Sequence, residues 1–397
     1  MPASAPTYVV GRREQLADIA HALQTAPLLT LVGVGGVGKT RLAARTATAA
    51  RGRYAHGAWL VELARITDPA GVTPEVARAL GVRERPGSSP LETLRAVLRH
   101  RQLLLVLDNC EHVVTVCAEL AASLLQACPD LCILATSREA LGVAGETVYH
   151  VPPFPMASTQ EATADLVEND AIDLFVERAR TLEPAFELTP QTSSSITRIC
   201  ALLDGLPLAI ELAAARPTAM SPPEIARRLD NPLSVLTMGP RSAPARQQTL
   251  RAAIDWSYQL LAEPEQTLLR RLAVFRGGFT RGAATSVCTD VELPGGQIDD
   301  LLDRLVAQSL LVGVKQPEHT RFHRRPRRLH GGTLFLLNGL IWLAAAFWLQ
   351  SVVTDPLRLL LLFMSAGASL SAALLANDSP GLAVAGAARR RPHRTRG

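Results

Sequence analysis

Lysine is almost missing from this sequence. Of 41 basic residues only Lys39 and Lys315 are lysine, and the rest are arginine. Wherever a positive charge suffices the chain uses arginine, so a lysine in a distinctive setting has a chemical reason to be one. Charge is scarce too, at 19% of residues against 48% hydrophobic with a mean hydropathy of +0.15. That balance excludes disorder over most of the chain and leads us to expect that part of it meets lipid. The six cysteines, at 110, 117, 128, 132, 200 and 288, form no Cys-x-x-Cys pair and have no histidine at zinc spacing. They read as small buried hydrophobes in a reducing compartment. The first 25 residues carry Arg12, Glu14 and Asp18 and lack an apolar core. No secretory signal is expected, and the body of the chain is assigned to the cytosol.

The net charge of +5 is misleading, because residues 321–330 and 389–397 hold ten arginines and no acid. Without those ten, the 41 basic residues fall to 31 against 36 acidic ones, about −5. The body is mildly acidic, and its charge gives no reason to expect direct DNA binding.

A length of 397 residues implies two or three units. Leu16, Ile19, Ala20 and Leu23 recur at helical spacing before Pro27, and the apolar run Leu28 to Val32 follows as a buried strand. Further apolar runs at 59–63, 103–107 and 131–135 alternate with helical stretches at 91–99 and 113–127. That alternation specifies a parallel α/β sheet. From about 168 to 230 the pattern is helical only, with Ile172, Phe175, Val176 and Ala179 on one face. Helices at 246–262, 264–275 and 298–309, then a strand at 309–314, suggest a winged-helix unit. Residues 333–354 are uncharged, and 357–376 carry only Arg358, so each segment is long enough to span a bilayer. Arginine clusters flank the pair while the connection at 354–356 has none, which puts both ends on the cytoplasmic side of the inner membrane.

Gly33-Val-Gly-Gly-Val-Gly-Lys39-Thr40 fits the phosphate-loop pattern and stands between an apolar strand and a helix, as that pattern requires. Gly33, Gly35, Gly36 and Gly38 let backbone N–H groups turn toward a phosphate, and a helix N-terminus adds partial positive charge. Lys39 would reach the β/γ-phosphates and Thr40 would ligate Mg²⁺. A plain glycine turn would not need one of this chain's two lysines. Leu103 to Leu107 ends at Asp108, where a carboxylate at the strand's C-terminal edge holds Mg²⁺. An apolar strand ending in aspartate is common, so Asp108 draws its force from the loop upstream. Asn109 follows where hydrolysing enzymes often have a second acid. Glu111, the nearest replacement, is either a catalytic group or an acid of a helix's first turn. Arg138 follows the strand 131–135, where a guanidinium senses a γ-phosphate or merely caps a loop.

Val10-Gly-Arg-Arg-Glu14, the phosphate loop, Leu105-Val-Leu-Asp-Asn-Cys-Glu-His112, Ala135-Thr-Ser-Arg-Glu-Ala-Leu141 and Gly205-Leu-Pro-Leu-Ala209 occur in that order. Together they resemble the signal-transduction ATPases with NB-ARC-type modules, AAA+-like P-loop NTPases. The likeness is greatest to the ATPase part of large bacterial transcriptional regulators, over about residues 7 to 315. The resemblance implies ATP or ADP with Mg²⁺ as ligands. It also implies an adenine pocket near Val10, Gly11 and Arg12, contacts from Arg41 beside the loop, Pro207 packing near the base, and Arg138 sensing the γ-phosphate. The winged helix would close the nucleotide site rather than read DNA.

The expected organisation is a nucleotide-binding unit at 7–155, a helical unit at 156–240 and an incomplete winged-helix-like unit at 241–315. A basic linker at 316–332, a two-span membrane hairpin at 333–376 and a basic tail at 377–397 would follow. After 315 the resemblance leads one to expect a methionine-histidine-aspartate signature, and only His323 falls near its place. The expectation is a chain without the usual DNA-binding and helical-repeat modules. Three functions are consistent with this reading. The first is a nucleotide switch with slow or no hydrolysis, closed with ADP and opened by ATP for self-association. The others are a regulator that binds DNA through its winged helix, and a truncated regulator joined near residue 316 to an unrelated membrane segment.

Overall fold

The computed structural model describes residues 10–83, 87–156, 169–216, 220–229, 249–275, 278–315 and 320–324. Strands β1 (Leu28–Val32), β2 (Ala58–Glu62), β3 (Leu103–Asp108), β4 (Leu131–Ser137) and β5 (Glu146–His150) form one parallel sheet in the order β2–β3–β4–β1–β5. Helices α1 (Arg13–Ala22), α2 (Lys39–Ala50), α3 (Val72–Ala79), α4 (Pro90–Leu98) and α5 (Val114–Ala127) surround it. Every residue of β1 and β3 is buried. Since side chains alternate between faces, Leu29, Leu31, Leu104 and Val106 enter one core with Leu42 and Ala47 of α2. Leu28, Leu103, Leu105 and Leu107 enter the other with Val76, Leu94 and Leu120 of α3, α4 and α5. Two covered faces explain why these strands read as unbroken apolar runs. Strand β5 was not expected, because Glu146-Thr-Val-Tyr-His150 is a half-exposed edge with little apolar character.

Helices α6 (Asp170–Leu182), α7 (Pro190–Leu202), α8 (Pro207–Ala214) and α9 (Pro222–Arg228) follow. Phe175, Ile196, Ile210 and Ile225 extend the first of these cores without a break, so the helical unit and the sheet share apolar packing.

The last described unit comprises α10 (Leu250–Gln259), α11 (Glu263–Arg271), α12 (Arg281–Cys288) and α13 (Gly295–Ala307). They pack on an antiparallel sheet, β6–β8–β7, formed by Phe279–Thr280, Thr320–Arg324 and Leu311–Lys315. Its core is separate from those of the large sheet.

Two expectations need correction here. Among the described residues the unit has four helices rather than three, and its sheet continues past 315. Strand β8 lies inside the stretch read as a basic linker, yet it is the central strand of the sheet, paired with β7 from Leu311 opposite Arg324 to Lys315 opposite Thr320. The charge of this segment hid a period of two in which Phe322 points inward. Phe322 is 2% exposed and stacks on Phe279 at 5.8 Å between ring centroids. The Arg281 guanidinium lies over the Phe322 ring, 5.1 Å from its centroid. A join at residue 316 itself would fall between two paired strands of one sheet, β7 and β8. The proposed hairpin at 333–376 and the tail at 377–397 lie outside the described residues. Among the described residues no helix is long and apolar enough to cross a membrane.

Candidate functional site

Strand register assembles the site. Val32 of β1 lies opposite Ser137 of β4, so the next residues, Gly33 and Arg138, leave the sheet side by side. Leu107 of β3 lies opposite Ala135 of β4, which puts Asp108 beside Thr136. Three motifs far apart in sequence thus meet at the C-terminal edge of one parallel sheet, where α/β folds build their ligand sites.

The loop from Gly33 leads directly into α2, whose N-terminus is Lys39. Lys39 is 8% exposed, and its Nζ donates to the carbonyls of Gly33 at 2.7 Å and Val34 at 3.2 Å. The ammonium is folded over the loop it would serve. Gly36 adopts φ 81°, and a Cβ there would come within 2.7 Å of Leu208 Cβ. Only glycine allows this approach, which lets the Leu208 N–H at the start of α8 donate to Gly36 O at 3.1 Å. Gly205, with φ 64°, has a matching role, since a Cβ would meet Phe154 O at 2.2 Å. The Gly205-to-Ala209 motif thus reads as a docking device. Pro207 is buried at the first position of α8, one residue before the Leu208 that makes this contact.

Asp108 is 5% exposed. Burial pushes its carboxyl above the ordinary range, while hydrogen bonds from Thr136 and Thr40 and the charge of Lys39 favour the ionised form. Thr136 Oγ1 donates to Asp108 Oδ1 at 2.6 Å. The Thr40 hydroxyl and the Asp108 carboxylate, hydrogen-bonded to each other at the phosphate loop, are the hard oxygen donors Mg²⁺ accepts when phosphate oxygens complete its shell. The residues present fit that ion.

Asn109 has left-handed backbone, φ 70°, and its side chain turns away from Asp108 to His112. His112 Nε2 stands 2.9 Å from the Ile66 carbonyl, which can only accept. The assigned tautomer therefore carries its proton on Nε2, and Nδ1 accepts from Asn109 Nδ2 at 3.3 Å. Glu111, in a single 3₁₀ turn at 110–112, pairs with Arg138 at 3.6 Å between Oε1 and Nε, with both side chains less than a tenth exposed. Arg138 also borders Gly35, where a built Cβ would stand 3.4 Å from an Arg138 terminal nitrogen. It is thus no surface arginine.

The residues expected around a base divide differently. Arg12 is 3% exposed and donates to Pro152 O at 2.6 Å and Val37 O at 3.2 Å, with its guanidinium 4.3 Å from the Phe154 ring centroid. Burial pushes its pKa down to about 10 against the raising effect of Asp170, so it remains a cation at neutral pH. Its backbone N–H donates to Asp170 Oδ2, and Gly11 packs against the same carboxylate. Arg12 fastens the loop to the helical unit, and Val10 packs on the shared core. Arg41 makes a two-pronged pair with Glu211 of α8, which also binds Arg178 of α6 at 3.0 Å. Its guanidinium is committed to the helical unit.

Residues that sequence reading missed come from the last unit. Ser257 Oγ and Ala253 O of α10 lie 3.7 and 4.0 Å from a Cβ built on Gly35. Ser309 Oγ, in the turn before β7, donates to Arg138 O at 3.1 Å. The Trp256 and His112 rings meet edge to face at 6.4 Å. No local signal marks Ser257 or Ser309, whereas Thr136 stood in view two positions before Arg138.

Sheet order, phosphate loop and strand-end aspartate define a P-loop NTPase fold. Residues 21–143 match the AAA domain family. The Walker-type ATPase PABY2304 of Pyrococcus abyssi shares the fold, with a TM-score of 0.54 at 14% identity over 84% of this chain and 98% of that one. A Mycobacterium tuberculosis protein named an HTH-type transcriptional regulator is 45% identical over 295 residues, covering 74% of this chain and 32% of the regulator. This chain thus spans about a third of that regulator's length. The uncharacterized protein Rv0894 of the same organism is 40% identical over 307 residues, covering 77% of this chain and 75% of that protein. The chain belongs to the family of Rv0894.

Proposed function

We propose that this protein is an ATP- and ADP-responsive signal-transduction switch of the NB-ARC type, with slow or no hydrolysis, serving transcription-related regulation. The observation that carries the proposal is the seating of the last unit, read as a winged helix, on the phosphate loop. Through Ser257 it faces Gly35, and through Ser309 it holds the backbone of Arg138. Lys39 and the loop N–H groups would hold the β/γ-phosphates, and Thr40 and Asp108 would hold Mg²⁺, whose charge offsets that of the phosphates when it is bound. Arg138 would exchange Glu111 for the γ-phosphate, moving a group on which the last unit rests. Opening would then free surfaces for self-association.

Slow turnover follows from the carboxylates. Position 109 offers an amide turned to His112 instead of an acid, and Glu111, paired with Arg138 here, stands three positions beyond Asp108 and not next to it. The likeness to a named regulator supports the transcription-related role. A DNA-reading function is opposed by α13, which carries Asp299, Asp300 and Asp303 beside Arg304, since a phosphate backbone would be repelled there.

The test is nucleotide discrimination. Arg138→Ala should weaken ATP about tenfold or more, as loss of one charge-assisted contact predicts, and leave ADP within about twofold. Equal loss for both, measured by calorimetry, would reduce Arg138 to a structural pair with Glu111.

From sequence we further propose that residues 333–376 anchor the chain with both arginine clusters in the cytoplasm. The full-length protein should partition with membranes, and a cysteine introduced at Thr354 should be labelled only from outside. Soluble fractionation or labelling from the cytosolic side would refute the anchor.

A further inference from the structure

The contact between β3 and β4 at the site has a feature that the nucleotide reading leaves unused. The Thr136 hydroxyl makes two hydrogen bonds in opposite senses. It donates to Asp108 Oδ1 at 2.6 Å and accepts from the Asn109 backbone N–H at 2.8 Å. It is 1% exposed, and β-branching leaves it little freedom about χ1. A hydroxyl with one proton can satisfy both bonds only in this sense, because the carboxylate cannot donate and the amide cannot accept.

We infer that Thr136 is a positioning residue for the metal ligand. It fixes the Asp108 carboxylate by one oxygen, so the rest of its acceptor capacity faces Thr40, and it holds the Asn109 backbone in the left-handed conformation. That conformation has a steric cost for a residue with a Cβ, and the bond from Asn109 N to Thr136 helps hold it. The same hydroxyl thereby keeps the Asn109 amide on His112 and out of the space beside the metal ligands. Ser137 and Arg138 do not duplicate the role, since register sets only Thr136 beside Asp108. Valine at 136 would keep shape and strand preference while removing both bonds. Serine would restore them with one methyl fewer.

The inference rests on the nucleotide reading, and its test separates the two. ATP affinity of the full-length chain is titrated against Mg²⁺ and compared with ADP affinity in EDTA. For Thr136→Val, half-maximal tightening of ATP should require roughly tenfold more Mg²⁺, while ADP affinity in EDTA stays within about twofold, as one lost orienting hydrogen bond predicts. Thr136→Ser should return the Mg²⁺ requirement to near the wild-type value. A requirement unchanged in Thr136→Val would overturn the positioning role while leaving nucleotide binding intact. Equal loss with and without Mg²⁺, unrepaired by serine, would overturn it in favour of a structural hydroxyl. A wild-type chain that takes up no nucleotide in either condition would remove the reading beneath it, and the inference with it.

Discussion

Replacing Lys39 by alanine should abolish tight nucleotide binding. In the structure Nζ donates to the Gly33 and Val34 carbonyls of the loop itself, and a bound phosphate would take over those contacts. Each charge-assisted contact contributes on the order of 1.5 to 3 kcal/mol. Losing two would weaken binding by roughly two to four orders of magnitude. The sheet should survive, because its cores do not use this side chain. Calorimetry together with thermal unfolding checks both parts. An unchanged ATP affinity in a folded variant would end the phosphate-loop assignment.

Phe322→Ala should selectively unfold the last unit. Phe322 is the inward residue of the central strand β8, stacked on Phe279 and bordered by Arg281. Truncation of a buried phenylalanine costs about 3–5 kcal/mol, against a stability of roughly 5–15 kcal/mol for an ordinary domain. Its core is separate from those of the large sheet. Hydrogen exchange should therefore accelerate in α13 and β7 and stay slow in β1 and β3. Uniform exchange across the chain, or none beyond that of wild type, would show that β8 is dispensable. The variant should also uncover Gly35 and Arg138, because Ser257 and Ser309 belong to the unit that loosens. Greater proteolytic access near Arg138 would report it.

Much of the fold is legible because its signals are local. Leu28 to Val32 and Leu103 to Leu107 read as strands covered on both faces because they are short and bounded by turn residues, and Gly33 to Thr40 marks the turn between a strand and a helix. The edge strand Glu146–His150 and the strand Thr320–Arg324 escaped because each depends on neighbours for its identity. One is half-exposed, and the other carries a single inward residue among charges.

For the site the division is similar. Lys39, Thr40, Asp108 and Arg138 were legible as candidates from the chain alone, because a phosphate loop and a metal ligand call for particular residue types at fixed spacing beside strand ends. What those residues touch depends on how the units pack. Register put Thr136 on Asp108, left-handed backbone sent Asn109 to His112, and burial committed Glu111 to Arg138 and Arg12 to backbone carbonyls. The seating of Ser257 and Ser309 over the loop was likewise invisible, since contacts between residues more than a hundred positions apart leave no period or spacing in the chain. They arise from which faces the packed units bury.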